Sequence, residues 1–330
     1  MGFLGFVEAV WGKIGYVQLG LVAFACTLAV LGAALTFLFQ PYHDEPRTLR
    51  GFLRFCLPLR LVVARQTWLD IAYVVVKHPA RILWRWGFVS NLTVAYLFYG
   101  ALHHGWAEGS GGAVAALREP SLAEIVVFLG VAVVLQDLLG FLAHLMMHKV
   151  PVLWEFHAVH HSALTLIPVT THRFHPVQEI WDALWNSVGL GLWIAVFSTT
   201  LSLPLADVTI LGINANSLVD TFSFHLLRHS HIYMRYPRWV ERAVMSPAQH
   251  QIHHSREARH RDRNLGLLFA WWDRLFGTIV YSEPRPVTNL GLAENQERYV
   301  TLWSLFAQSF VALDRNHLRP LWRKLALRPG

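Results

Sequence analysis

The sequence predicts an all-α fold: a polytopic membrane helical bundle with a cytoplasmic, histidine-rich helical cap. Three observations predict it. The 330-residue chain is 54% hydrophobic and only 15% charged, against ~25% charged in an ordinary soluble domain. Its apolar residues gather into uncharged stretches of about 20, the length that crosses a bilayer as a helix. Thirteen of its 19 histidines fall between His144 and His254, beside those stretches. Fourteen Trp and 20 Phe suit membrane–water interfaces. Two cysteines, Cys26 and Cys56, exclude a disulfide framework and a cysteine-based zinc site. The net charge of +7, carried mostly by Arg, points to anionic lipid head groups rather than to nucleic acid.

The elements follow in order. Residues 14–42 carry no charge, and their core, 17–39, is long enough to span. The stretch exceeds a cleaved signal's apolar region, so it is expected to be an uncleaved anchor. Residues 46–85 are Arg-rich and amphipathic, which predicts an interfacial segment. Residues 86–107 form a second span, and residues 122–143 a third, interrupted by Glu124 and Asp137. Residues 183–206 and 208–219 read as a helical hairpin folded at Pro204. Lys and Arg crowd residues 40–85 and the region after His225, while the 103–121 loop holds only Arg118. The positive-inside rule puts the basic regions, and every histidine cluster, in the cytoplasm. The expected division is 1–124 for anchor helices and basic segment, 125–280 for the histidine-bearing domain, and 281–330 for a cytoplasmic tail.

Four histidine groups stand out. His144 and His148 close the third span at spacing i, i+4, which shares a helix face. His157, His160 and His161 form an HxxHH pattern, repeated by His250, His253 and His254. His225 and His229 repeat the i, i+4 spacing after the hairpin. One such pair is weak support for a metal, because lone histidines are usually satisfied core or surface groups. Ten imidazoles together are different: protonated they repel, and unpaired they are costly to bury. A metal resolves both problems by taking neutral imidazole. Ten donors exceed the three or four of one zinc site, so two metals are the simplest count. Imidazole suits Zn, Cu, Fe and Ni alike, and no HExxH zincin motif is present.

The combination resembles the fatty acid hydroxylase/sterol desaturase superfamily. Its carriers are His144/His148 and the segments 154–162, 173–176, 229–232, 246–255 and 264–278 (WxFHxxHHS, RFHP, HSHI, SPxxHxxHHS and NxGxxxxxWDRLFGT). The resemblance covers roughly residues 125–280. It implies a di-iron centre, with zinc a substitute in purified protein, that uses O2 to hydroxylate or desaturate a lipid such as a fatty acyl chain or sterol. It implies ligand roles for His144, His148, His157, His160, His161, His229, His250, His253 and His254. It extends to His225 and to His175 of RFHP as additional candidates. The sequence departs from the family at His231, where an asparagine is usual, and at Val177-Gln178, where an acid is common after HP.

No haem CxxCH, iron–sulfur cysteines or GxGxxG is present. An external donor is therefore expected: a reductase, a ferredoxin or a cytochrome b5-like protein. Asp137, seven residues before His144, and Asp220, five before His225, are candidates to orient ligand imidazoles. Glu155 reads as a solvated helix acid, Asp273–Arg274 as a local salt bridge and Asn264 as a turn residue. His43, His78, His260 and His317 read as surface groups. His172 and His231 have no assigned role, and His103 and His104 fall on the opposite membrane face. The location expected is a bacterial inner membrane or the endoplasmic reticulum. The rival readings are a membrane metal-binding or transport protein, which would want polar groups along several spans, and a zinc-dependent lipid hydrolase.

Overall fold

The structure, a computed structural model, describes residues 2–40, 42–87, 91–109 and 117–326. Five long helices form the bundle. α1 (Phe3–Phe39) precedes three helices built from the basic segment, α2 (Leu49–Cys56), α3 (Leu59–Val62) and α4 (Arg65–Gly87). α5 (Asn91–Gly109), α6 (Leu122–Lys149), α8 (Pro176–Leu201) and α9 (Leu205–Phe222) complete the bundle; α7 (Pro151–His161) follows α6 after one residue. The cap adds α10 (His225–Arg228), α11 (Arg238–Glu241), α12 (Pro247–His253), α13 (Trp271–Leu275), α14 (Leu302–Leu313) and α15 (Arg319–Ala326). No strand occurs among the described residues.

Three described helices are long and apolar enough to cross a membrane: Leu19–Phe39 within α1, Leu122–Lys149 and Pro176–Leu201. On α8, Leu184, Val188, Leu192 and Val196 are all exposed at spacing i, i+4. An aliphatic ridge facing outward is the face a bilayer covers. Ser121 begins α6 with a capping box to Glu124. The hairpin forms where Pro204 predicts it: Ser202 turns left-handed (φ 54) and Pro204 starts α9. The expected second span differs. Its apolar part, Leu92–His103, is shorter than a crossing, and residues 88–90, like the 110–116 part of the following loop, lie outside the described residues. α9 carries Asp207, Asn214 and Asn216 and is not among the three.

The basic segment is two things rather than one. α2, α3 and the turn between them expose Leu49, Leu53, Leu57 and Leu59 beside Arg50, Arg54 and Arg60. α4 instead turns Asp70, Tyr73 and Lys77 fully inward. Residues 281–326 fold back on the cap: α14 packs on α7, and Gln296 donates to the Ser162 carbonyl at 2.9 Å.

Candidate metal centre

Nine imidazoles converge at one end of the bundle, in two groups. His144, His148, His157, His161 and His253 form the first; His160, His229, His250 and His254 form the second. Within each group the nearest ring nitrogens all lie within 4.8 Å of one another. The local folding explains this. α6 delivers His144 and His148 one turn apart. On α7 the HxxHH spacing splits: His157 and His161 serve the first group, His160 the second. α12 does the same with His253 on one side and His250 and His254 on the other. Ser246 caps α12 with a full capping box through Gln249, which fixes this seven-residue helix.

Hydrogen bonds behind the rings assign the tautomers. His144 Nδ1 faces the Leu265 carbonyl at 2.8 Å and His253 Nδ1 faces the Arg263 carbonyl at 2.8 Å. A carbonyl only accepts, so each Nδ1 carries the proton and donates. The same holds for His148 Nδ1 on Asp262 (3.2 Å) and His157 Nδ1 on Gln178 Oε1 (3.1 Å). Every one of these rings therefore presents a bare lone pair on Nε2. Yet His144 Nε2 lies 3.1 Å from His157 Nε2. Two lone pairs cannot hydrogen-bond each other. His148 Nε2 and His253 Nε2 are buried without a partner. In the second group His229 Nε2 lies 3.2 Å from His160 Nε2 and 2.9 Å from His250 Nε2. A cation in each group, taking the bare ring nitrogens as ligands, would satisfy these atoms. The donor set fits two such ions.

Burial pushes His157, His160, His161, His229, His250, His253 and His254 well below the ordinary imidazole value, and neighbouring positive charge pushes the same way. The rings are therefore neutral at pH 7, the form that binds metal. Their burial is nearly complete, 1–5% exposed.

Two candidates stand outside both groups. His175 caps α8, accepting from the Val177 N–H, and its Nε2 contacts the Phe306 carbonyl. His225 donates from Nδ1 to the Asp220 carbonyl. Its i, i+4 relation to His229 fails because α10 has only four residues. Phe224 before it is left-handed and His229 after it is already non-helical. The two carboxylates read as orienting groups also act elsewhere. Asp137 accepts from the Leu268 and Phe269 N–H groups and from Trp272, tying the cap to α6. Asp220 meets His225 only through its carbonyl.

The carboxylate that does touch a clustered ring is Asp262, on a left-handed loop position (φ 55), which also takes Lys149 at 2.6 Å. It lies 114 residues from His148, so no periodicity pointed to it. Other expectations need correction. Glu155 is buried and binds Asn316 and His317. His260 is buried, and His43 stacks on Phe37. Asp273 does not pair with Arg274: it accepts from Leu265 N–H, Gly266 N–H and the Thr278 hydroxyl, while Arg274 donates to the Arg242 carbonyl. That loop is what presents the Leu265 carbonyl to His144. Asn264 bridges the Gln249 carbonyl and the Val280 N–H, as a turn residue would. His231 faces the Phe55 carbonyl, and the His172 carbonyl accepts from Lys77.

A buried cap of imidazoles that could hold metal lies over helices long and apolar enough to cross a membrane, and comparison with known proteins adds to this. Residues 129–278 match the fatty acid hydroxylase family. Ornithine lipid hydroxylase OlsE of Rhizobium tropici is 29% identical over 153 residues, 46% of this chain and 41% of that one. The chain thus spans less than half the length of that relative. A cholesterol 25-hydroxylase-like protein of Danio rerio is 26% identical over 250 residues, 73% of this chain and 91% of the relative. A Delta(7)-sterol-C5(6)-desaturase of Nicotiana tabacum is 25% identical over 182 residues, 54% of this chain and 57% of the relative. No solved structure matches. Residues 129–278 are thus similar to the fatty acid hydroxylase family, and these relatives are named as lipid hydroxylases and a sterol desaturase.

Proposed function

We propose that the protein is a membrane-bound oxygenase that hydroxylates or desaturates a C–H bond of a lipid, with two iron ions held by the two histidine groups. The single observation that carries this reading is the meeting of nine imidazoles at the ends of apolar helices. Iron so held, supplied with O2 and two electrons from an external donor, provides the oxidising power that side chains lack for unactivated C–H bonds. The chain's own residues do the rest. His144, His148, His157, His161 and His253 hold one ion through Nε2; His160, His229, His250 and His254 hold the other. Leu265, Arg263, Gln178 and Asp262 keep the first set of rings in the right tautomer. Trp154, 5.2 Å from His148 and 5.4 Å from His161 between ring centroids, covers the first group. Phe174, 4.5 Å from His160, covers the second. Both keep bulk water from the site.

A substrate reaches it from the bilayer, between the helices that carry the ligands. The centre faces the cytoplasm of a multi-pass protein, in keeping with the basic loops on that side. A transporter would distribute polar groups along its spans; here the imidazoles gather at one end. The test is metal content of gently purified protein with Mössbauer spectra after growth on iron-57. About two coupled irons per chain and a lipid hydroxyl or double bond lost on gene deletion are expected. Absence of iron after anaerobic reconstitution would defeat the reading.

A further inference from the structure

α4 lies outside residues 129–278, the segment that matches the family, yet one face of it grips the loop that joins α7 to α8. Gln66, Asp70, Tyr73 and Lys77 recur at spacing 4, 3 and 4, so they share that face. Lys77 is 2% exposed. Its ammonium donates to the His172 carbonyl (2.6 Å), the Phe174 carbonyl (2.8 Å) and Glu179 (2.9 Å), which uses all three protons. The Tyr73 hydroxyl donates to the same Phe174 carbonyl at 3.0 Å. Asp70, fully buried, receives Gln66, the Thr170 hydroxyl and the Arg173 guanidinium. Arg173, equally buried, donates onward to the Val159 carbonyl and the Ser162 hydroxyl, on either side of His160 and His161.

The gripped loop touches the ligands of the second group. Thr171 has one hydroxyl proton, and the His225 carbonyl lies 3.2 Å away to accept it. Thr171 Oγ1 therefore accepts from His229 Nδ1–H at 3.0 Å, which leaves the His229 lone pair on Nε2. Phe174 lies against the His160 ring. Buried ion pairs are poor sources of stability, since an apolar contact would join helix and loop as well. What they add is a fixed register.

We propose that Lys77, with Asp70 and Tyr73, positions the second metal site by fixing the 170–174 loop against His229 and His160. The proposal rests on the two-metal reading above, and its test does not require iron or a known substrate. Cobalt(II) is titrated into metal-free, membrane-inserted protein, and its visible absorption reports the ligand environment. His253→Ala and His250→Ala give the reference spectra for loss at the first and second groups. The expected result for Lys77→Met is one cobalt bound as in wild type and the other weakened about tenfold or more, the usual scale for losing support behind a ligand. The spectral loss should match that of His250→Ala.

Two cobalt ions bound with wild-type affinity and spectrum would overturn the proposal. So would equal weakening of both ions, which would mark Lys77 as merely structural. Should Lys77→Met fail to accumulate, Thr171→Val and Tyr73→Phe decide. A smaller change confined to the second site supports positioning, and an unchanged spectrum overturns it. Wild-type protein that binds no cobalt would instead defeat the two-metal reading and take the proposal with it.

Discussion

The two histidine groups share α7 and α12, and they differ in what stands behind the rings. In the first group, four of five imidazoles have an Nδ1 partner that can only accept: two backbone carbonyls, Asp262 and Gln178. In the second, His229 meets Thr171, while Nδ1 of His160, His250 and His254 is buried without a partner. An N–H donated to an oxygen fixes the tautomer, locks the ring and raises its basicity as a ligand. The first group is therefore preorganised by its surroundings. In the second, only His229 is oriented in this way, by Thr171 of the loop that α4 contacts. One sequence pattern, HxxHH used twice, thus yields two sites of different rigidity.

The widest separation of the two comes from deleting ligands. His253→Ala should empty the first site and His250→Ala the second, each leaving about one metal per chain, and both should abolish lipid oxidation. Metal analysis with product detection by mass spectrometry checks this. Retained activity in either variant would break the two-site scheme. Acid should act on both groups together. The unfolded chain takes up protons on histidine near pH 6.5, whereas the buried rings of His157, His160, His161, His229, His250, His253 and His254 have values well below that. Between those values the unfolded state holds more protons, so stability falls as pH falls below 6.5. Each ring contributes up to about 1.4 kcal/mol per pH unit. Thermal unfolding of metal-free protein should be flat above pH 7.5 and decline steeply below 6.5. A melting temperature constant down to pH 5 would show that the rings protonate in place.

The gathering of the histidines was legible because helical periodicity and the HxxHH spacing are local signals, and the hairpin was legible because Pro204 cannot continue a helix. His225 stands outside both groups because the i, i+4 rule holds only inside a continuing helix, and α10 stops after one turn. Asp137 has its partners elsewhere for a related reason. Its alignment with His144 is real, but the cap loop reaches its carboxylate first. Asp262, Gln178 and Lys77 were invisible as supports because their partners are brought together by tertiary folding alone. In the basic segment, charge counting saw eight cations and one amphipathic character. It could not see that Lys77 and Asp70 spend their charges inside the protein while Arg50 and Arg54 remain outside.

The asymmetry also orders the way metal leaves. An ion at the second group, where three of the four rings have no Nδ1 partner, should be removed by a chelator before one at the first. Two phases separated by about tenfold in chelator concentration are expected, and a single phase would erase the distinction.

The finest probe is Asp262→Asn, which keeps the size of the side chain and an acceptor oxygen but removes the charge facing His148 and Lys149. The neutral amide can still take the Nδ1 proton, so the tautomer survives. What is lost is the charge that makes His148 a stronger donor. The loss should stay below the tenfold to hundredfold cost of deleting such a support outright. The expected effect is therefore a weakening of the first-site ion by a few-fold, with the second unchanged and the chelation phases drawn together. Asp262→Ala should go further, since it leaves His148 Nδ1 without an acceptor. If both variants chelate as wild type does, the preorganisation of the first group rests on its carbonyls alone.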